Sequence, residues 1–206
     1  CPISAPSANK FGRISPTTAN HVRKQLPGVR CILDGGAAKV GIESTVISLN
    51  SDGFVILRQG FITAKDLKTV LPQSERPARS EHQPASPGLL KSHYSPEKPI
   101  FIEGLKRDDL DHFLKSRNIG RGAYLSFSGK RPEDFRVVEY LSRNSDLKEA
   151  AVNLFGALHR LEDNPMIDYI VAEPVPESGI GKAIMDKLKK ASYQYNKLIG
   201  NSDEKY

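Results

Sequence analysis

The chain has 206 residues, enough for one large domain or two small ones with buried cores. Its 38% hydrophobic and 26% charged content fits an ordinary globular protein, and no run approaches the ~18 apolar residues of a membrane span. The net charge of +6 lies wholly in residues 1–99, which hold 13 Lys+Arg against 7 Asp+Glu; residues 100–206 hold 17 of each.

A basic first half favours an anionic ligand there, a nucleotide or a phosphate backbone, with plain solubility charge as the alternative. Two cysteines, Cys1 and Cys31, make no disulfide framework, and the start lacks the basic-then-apolar pattern of a signal peptide. A reduced, cytoplasmic protein without a membrane partner is expected.

The opening "CPISAPSANKFGRISPTTANHV" gathers Ser4, Ser7, Asn9, Ser15, Thr17 and Thr18 around Gly12. Ser15-Pro16-Thr17-Thr18 reads as a helix start, with a hydroxyl cap and proline at the first helical position. Val22 and Leu26 share a face, and Pro27-Gly28 ends the helix. Small hydroxyl residues before a helix N-terminus can cradle a phosphate, though taken alone a simple cap is the better explanation, and the Gly-Lys-Ser/Thr ending of a P-loop is absent.

"RCILDGG" reads as a short buried strand with a glycine turn. "GIESTVISL" and "FVILRQG" read as two strands joined by "NSDG". Ser44 and Thr45 fall within the first and would point to opposite faces. Arg58 follows four apolar residues, where its planar fork needs a carboxylate or phosphate; Asp34 and Glu43 are internal candidates. Thr63 and Asp66 form a capping box for a helix over residues 64–71.

Residues 72–98 change texture, with five prolines among Ser, Gln, Glu and Arg, and read as a linker. Within it "SPGLLKSHYSP" sets His93 and Tyr94 between prolines, which suits a lid better than a tether.

From residue 99 strands and helices alternate. "PIFIEGL", "GAYLSFSG", "DFRVVEYLS" and "IDYIVAEPV" read as strands; "RDDLDHFLKSR", "DLKEAAVNLFGALHRLED" and "GIGKAIMDKLKKAS" read as helices. This order predicts a small open-sheet α/β unit over residues 99–200. "PESGIGKAI" lacks the G-x-G-x-x-G spacing of a dinucleotide site. His112 and His159 read as surface residues, and no metal-ligand spacing of Cys and His occurs.

The ordered series "APSAN", "RISPTTANHV", "LDGG", "GIESTVI", "ILRQG", "SPGLLKSHYSP" and "AEPVPESGIGKAIMDKLKKAS" resembles the YrdC/YciO family, in its long two-domain form, the L-threonylcarbamoyladenylate synthases. The resemblance runs over nearly the whole chain. It implies the back part of a YrdC-like twisted-sheet α/β domain over residues 1–71, a linker and active-site lid over 72–98, and a small Rossmann-like α/β domain over 99–200. It also implies a nucleotidyltransferase that uses L-threonine, bicarbonate and ATP, with Mg²⁺ bridging the phosphates. Partner proteins would pass the threonylcarbamoyl group to tRNA, and double-stranded RNA is a further partner.

By the same resemblance Ala5 lies at the threonine, Ser44 contacts it, and Thr45 sits beside Ser44. Ser7, Asn9, Ser15 and Arg58 hold the ATP, and His93 and Tyr94 close over the site. No general base is assigned, because carbamate formation and adenylyl transfer depend on positioning and charge neutralisation. The family's K-x-R motif lies upstream of where this sequence opens. The 206-residue chain alone is therefore expected to be inactive. The alternatives are an RNA-binding or regulatory module, and a carbamoyltransferase maturation protein, whose zinc-finger cysteines are missing here.

Overall fold

The computed structural model describes residues 5–75, 92–104 and 107–198. Of the residues singled out above, Cys1 and Ser4 and the middle of the linker lie outside them.

Helix α1, Ala19–Gln25, starts one turn later than the sequence suggests. Thr18 is its cap: the backbone there is extended, and the side chain accepts from the His21 amide. Ser15 is buried instead, and its hydroxyl donates to Glu43 Oε1 at 2.8 Å. A carboxylate is the stronger acceptor, and Thr18 satisfies the helix end. Leu26 closes the helix before Pro27-Gly28, as expected.

The "RCILDGG" segment is not a strand. It is irregular and open to solvent, with Leu33 92% exposed. No described strand lies beside it, and an apolar run without a ladder partner gains nothing from the extended form. Strands β1, Val46–Asn50, and β2, Gly53–Arg58, form an antiparallel hairpin with a bulge between Val46 and Ile47. Ser44 and Thr45 therefore precede β1 rather than lying inside it. Residues 72–74 run along β2, where Phe54 N donates to Pro72 O and Ser74 N to Phe54 O. Helix α2, Ala64–Leu67, carries the expected Thr63/Asp66 capping box but ends after one turn, with isolated turns continuing to Leu71.

Strands β3, Ile100–Ile102, β4, Gly122–Ser126, β5, Val137–Tyr140, and β6, Tyr169–Ala172, form a parallel sheet in the order β3-β6-β4-β5. Helices α3, Arg107–Arg117, α4, Leu147–Asp163, and α5, Gly181–Leu198, fill the connections and the C-terminal end. Alternate strand residues face opposite sides. Ile100, Ala123, Leu125, Ile170 and Ala172 join the large core with α4 and α5, while Phe101 packs with Phe113 and Leu114 of α3. On that second face Tyr124, Tyr169, Phe135 and Glu103 help line a cavity of about 430 Å³. The chain is thus a mixed α/β protein, as its element order predicts.

The large core does not stop at residue 99. Ile14, Ile42 and Tyr94 belong to it, and the Tyr94 ring lies 5.4 Å from that of Phe155 on α4. Gly41 has φ +76, and a Cβ there would lie 2.2 Å from the Val152 carbonyl oxygen, so the loop entering Ile42 rests on α4 backbone to backbone. His159 is 1% exposed, contrary to the surface position expected. Its Nε2 lies 3.1 Å from Ser15 O, and its ring stacks on His21 at 3.7 Å. The side of α4 that carries His159 faces α1 rather than water.

Candidate functional site

The residues of interest meet where the 9–15 loop, the approach to β1, the exit of β2, the end of the linker and α5 converge. The linker end is fixed from both sides. His93 N donates to Lys190 O, Ser95 N to Gly12 O, and Ser95 Oγ to Ala191 O. His93 and Tyr94 are consequently 4% and 0% exposed. Tyr94 has φ +62, a left-handed conformation that costs a non-glycine residue about 1–3 kcal/mol and persists only where its surroundings enforce it. The two rings meet edge to face at 4.1 Å, and Phe11 adds a second edge contact to His93 at 6.1 Å.

Arg58 reaches back across the hairpin entrance. Its Nε donates to Ser44 O at 3.2 Å and its Nη2 to Ser44 Oγ at 3.1 Å. Neither internal carboxylate appears in these two bonds. Thr45 Oγ1 donates to Ile62 O at 2.5 Å, which ties the start of β1 to the segment after β2. At Gly60 a Cβ would lie 2.3 Å from Thr45 N and 2.5 Å from Glu43 O, so these two segments touch backbone to backbone.

Glu43 is the electrostatic hub. Oε1 accepts from Ser15, whereas Oε2 is buried without a hydrogen bond. His93 Nδ1 is also buried and unsatisfied, and Tyr94 Oη lies near enough to the Glu43 carboxylate to feel it without closing a hydrogen bond of good geometry. Burial, then the Glu43 charge, push the Tyr94 phenol far above its ordinary value. Burial lowers the His93 imidazole; the Glu43 charge opposes that shift, and Lys190, Arg58 and Lys187 reinforce it. His93 is thus neutral and Tyr94 protonated at physiological pH. Three unsatisfied buried polar atoms in one electrostatic neighbourhood suit a polar ligand, because native structures leave few such atoms unpaired.

Placement of the sequence candidates is uneven. Ser15, Ser44, Arg58, His93 and Tyr94 surround Glu43 or its immediate neighbours. Ala5 and Ser7 lie in the exposed lead-in. Asn9 turns inward, its Nδ2 donating to Lys10 O and Arg13 O, so its amide braces the loop around Gly12. Glu43 entered the sequence reading only as a possible partner for Arg58. Lys187 of α5 carries no motif, yet its place in "AIMDKLKKAS" puts a lysine on the helix stripe of Ile184, Leu188 and Ala191. That misfit is the signal that could have found it. Among the described residues no group of three or more His, Cys, Asp or Glu is placed to hold a metal, and no helix is long and apolar enough to cross a membrane.

The family model described as "Threonylcarbamoyl-AMP synthase, C-terminal domain" matches residues 62–192, and one described as "Telomere recombination" matches residues 1–60. The threonylcarbamoyl-AMP synthase of Bacillus subtilis is 34% identical over 200 residues, covering 93% of this chain and 57% of that protein. That of Pyrococcus abyssi is 35% identical over 199 residues, covering 93% and 58%. The crystal structure of P. abyssi Sua5 complexed with L-threonine superposes with a TM-score of 0.69 at 32% identity, over 91% of this chain and 57% of that one. A structure of the same protein with an adjacent His and Tyr replaced by alanine also gives 0.69. The chain spans a little over half the length of the relatives it matches.

Proposed function

The chain belongs to the threonylcarbamoyl-AMP synthase family, and from that premise we propose that it carries part of the site where L-threonine, bicarbonate and ATP become L-threonylcarbamoyladenylate and pyrophosphate. The neutral threonine amine adds to the bicarbonate carbon and one water leaves, giving an N-carboxylate. A carbamate oxygen then attacks the α-phosphorus, and the bond to the β,γ-pyrophosphate breaks. ATP enters with Mg²⁺ on its phosphates.

The observation that carries this reading is the Arg58–Ser44 pair beside the enclosed His93–Tyr94 step and the half-satisfied Glu43. It offers hydrogen-bonding groups and a fixed cation. That suits a reaction driven by positioning and charge neutralisation. In the reading, Ser44 and Ala5 border threonine, with Thr45 holding Ser44 in place. Arg58, Ser7 and Asn9 serve the nucleotide. Ser15 orients Glu43, whose spare oxygen, with Tyr94 Oη and His93 Nδ1, awaits polar groups of the substrates. The buried aromatic step excludes water from the mixed anhydride, which hydrolyses readily. The product's acyl group then goes to tRNA through transferase partners in the cytoplasm.

The test is pyrophosphate release by the native protein, followed with each substrate omitted in turn, with the product identified by mass. Release that needs threonine, bicarbonate and ATP together is expected. ATP hydrolysis indifferent to threonine would refute the reading.

A further inference from the structure

Lys187 is a buried cation that the proposed chemistry leaves without a job. Its side chain is 1% exposed, deep on the inner face of α5. Burying an ammonium is costly unless several partners repay it. Here the partners come from three separate parts of the chain. Nζ donates to the Gln59 carbonyl at 2.5 Å, lies 3.3 Å from Asp186 Oδ2, and stands 5.6 Å from the centroid of the Tyr94 ring. Burial lowers the pKa of the ammonium, and the charges of Asp186 and then Glu43 oppose that shift. Asp186 is not committed to Lys187 alone, since its Oδ1 pairs with Lys190 at 2.7 Å.

The position of Gln59 gives these contacts their meaning. It follows Arg58 directly, and Gly60 beyond it abuts the backbone of residues 43–45. Holding the Gln59 carbonyl therefore sets where the Arg58 guanidinium meets Ser44 and how closely the β2 exit approaches Glu43. The same ammonium lies against the ring of Tyr94, whose strained backbone needs support.

From this juxtaposition we infer that Lys187, on the last helix of the C-terminal unit, is a positioning residue of the active site: it locks the β2 exit that carries Arg58 to the linker's Tyr94. The inference rests on the proposed synthase reading. It gives the C-terminal unit a part in shaping the site, because α5 then supplies one anchor shared by the arginine arm and the aromatic step.

Lys187→Met and Lys187→Arg in the native protein test it. Methionine replaces the buried ammonium with an apolar chain of similar length: Asp186 keeps Lys190 as its partner, but the Gln59 carbonyl loses its donor, so some stability is lost as well. Arginine keeps a donor for Gln59 and a cation for Tyr94. K187M should raise the KM for threonine and ATP by about tenfold or more and lower kcat/KM further, as small misplacements in a positioning site do. Its melting temperature should fall only modestly, with the protein still folded at the assay temperature, and K187R should recover a large part of the loss in kcat/KM. Should K187M fail to fold, K187Q, a neutral donor of shorter reach, takes its place under the same criteria. Unchanged KM and kcat in a folded K187M, or K187R no better than K187M, would overturn the inference. Threonine binding by the wild type, measured calorimetrically alongside, separates the two readings. No binding sinks the synthase reading itself, whereas intact binding in both wild type and K187M sinks only the role of Lys187.

Discussion

His159 gives the sharpest quantitative prediction. The ring is 1% exposed and stacked on His21, and its Nε2 must carry the proton, because the Ser15 carbonyl 3.1 Å away can only accept. Burial first, and the neighbouring His21 second, push its pKa down to about 4. An unfolded chain would titrate this group near ~6.5. Between those two values the unfolded state binds more protons, so the contribution to stability is fully present above about pH 6.5 and is lost as pH falls towards about 4. At about 1.4 kcal/mol per unit of separation the window holds about 3 kcal/mol, of which about 2 kcal/mol falls between pH 7 and pH 5. His21, lowered chiefly by burial, contributes in the same direction. His159→Gln keeps an N–H donor but cannot charge. Urea unfolding followed by far-ultraviolet circular dichroism at pH 7 and pH 5 should show the wild type losing about 2 kcal/mol more than H159Q. Equal losses would mean that the imidazole is not held neutral between α1 and α4, and the account of that interface would fall.

Tyr94→Phe should separate stability from activity. The buried hydroxyl lies beside the Glu43 carboxylate but closes no hydrogen bond of good geometry, so its removal should shift stability by no more than about 1 kcal/mol while turnover falls. Gly60→Ala places a methyl group 2.3 Å from Thr45 N, so the 43–45 and 58–62 segments must separate; threonine affinity, read by calorimetry, should drop about tenfold or more. Arg58→Lys loses the fork that spans Ser44 O and Oγ, and should raise the KM for ATP while shifting stability by no more than about 0.5 kcal/mol. Phe155→Ala removes the ring beneath Tyr94 and should cost about 3–5 kcal/mol, visible as a lower urea midpoint.

Much of the architecture was legible because it is written in local patterns. The strand–helix alternation after residue 99, the amphipathic stripe of α4, the Thr63/Asp66 capping box and the hairpin around "NSDG" depend on residues a few positions apart. His93 and Tyr94 stood out because a His-Tyr pair beside a rigid proline is odd in a polar linker. The uses of polar side chains were not legible, because tertiary neighbours assign them. Ser15 looked like a helix cap and bonds Glu43 instead. His159 looked like a surface histidine and lies sealed against α1. "RCILDGG" had the composition of a strand, but composition cannot supply the second strand that a ladder requires. The sequence by itself determined most of the elements and which segments carry unusual chemistry. Only the tertiary structure decided that Glu43 is shared among Ser15, Tyr94 and His93, and that Lys187 reaches 128 residues back to Gln59. Periodicity records a residue's own helix or strand, whereas a hydrogen bond between distant segments exists only after packing has brought donor and acceptor together and removed the water between them.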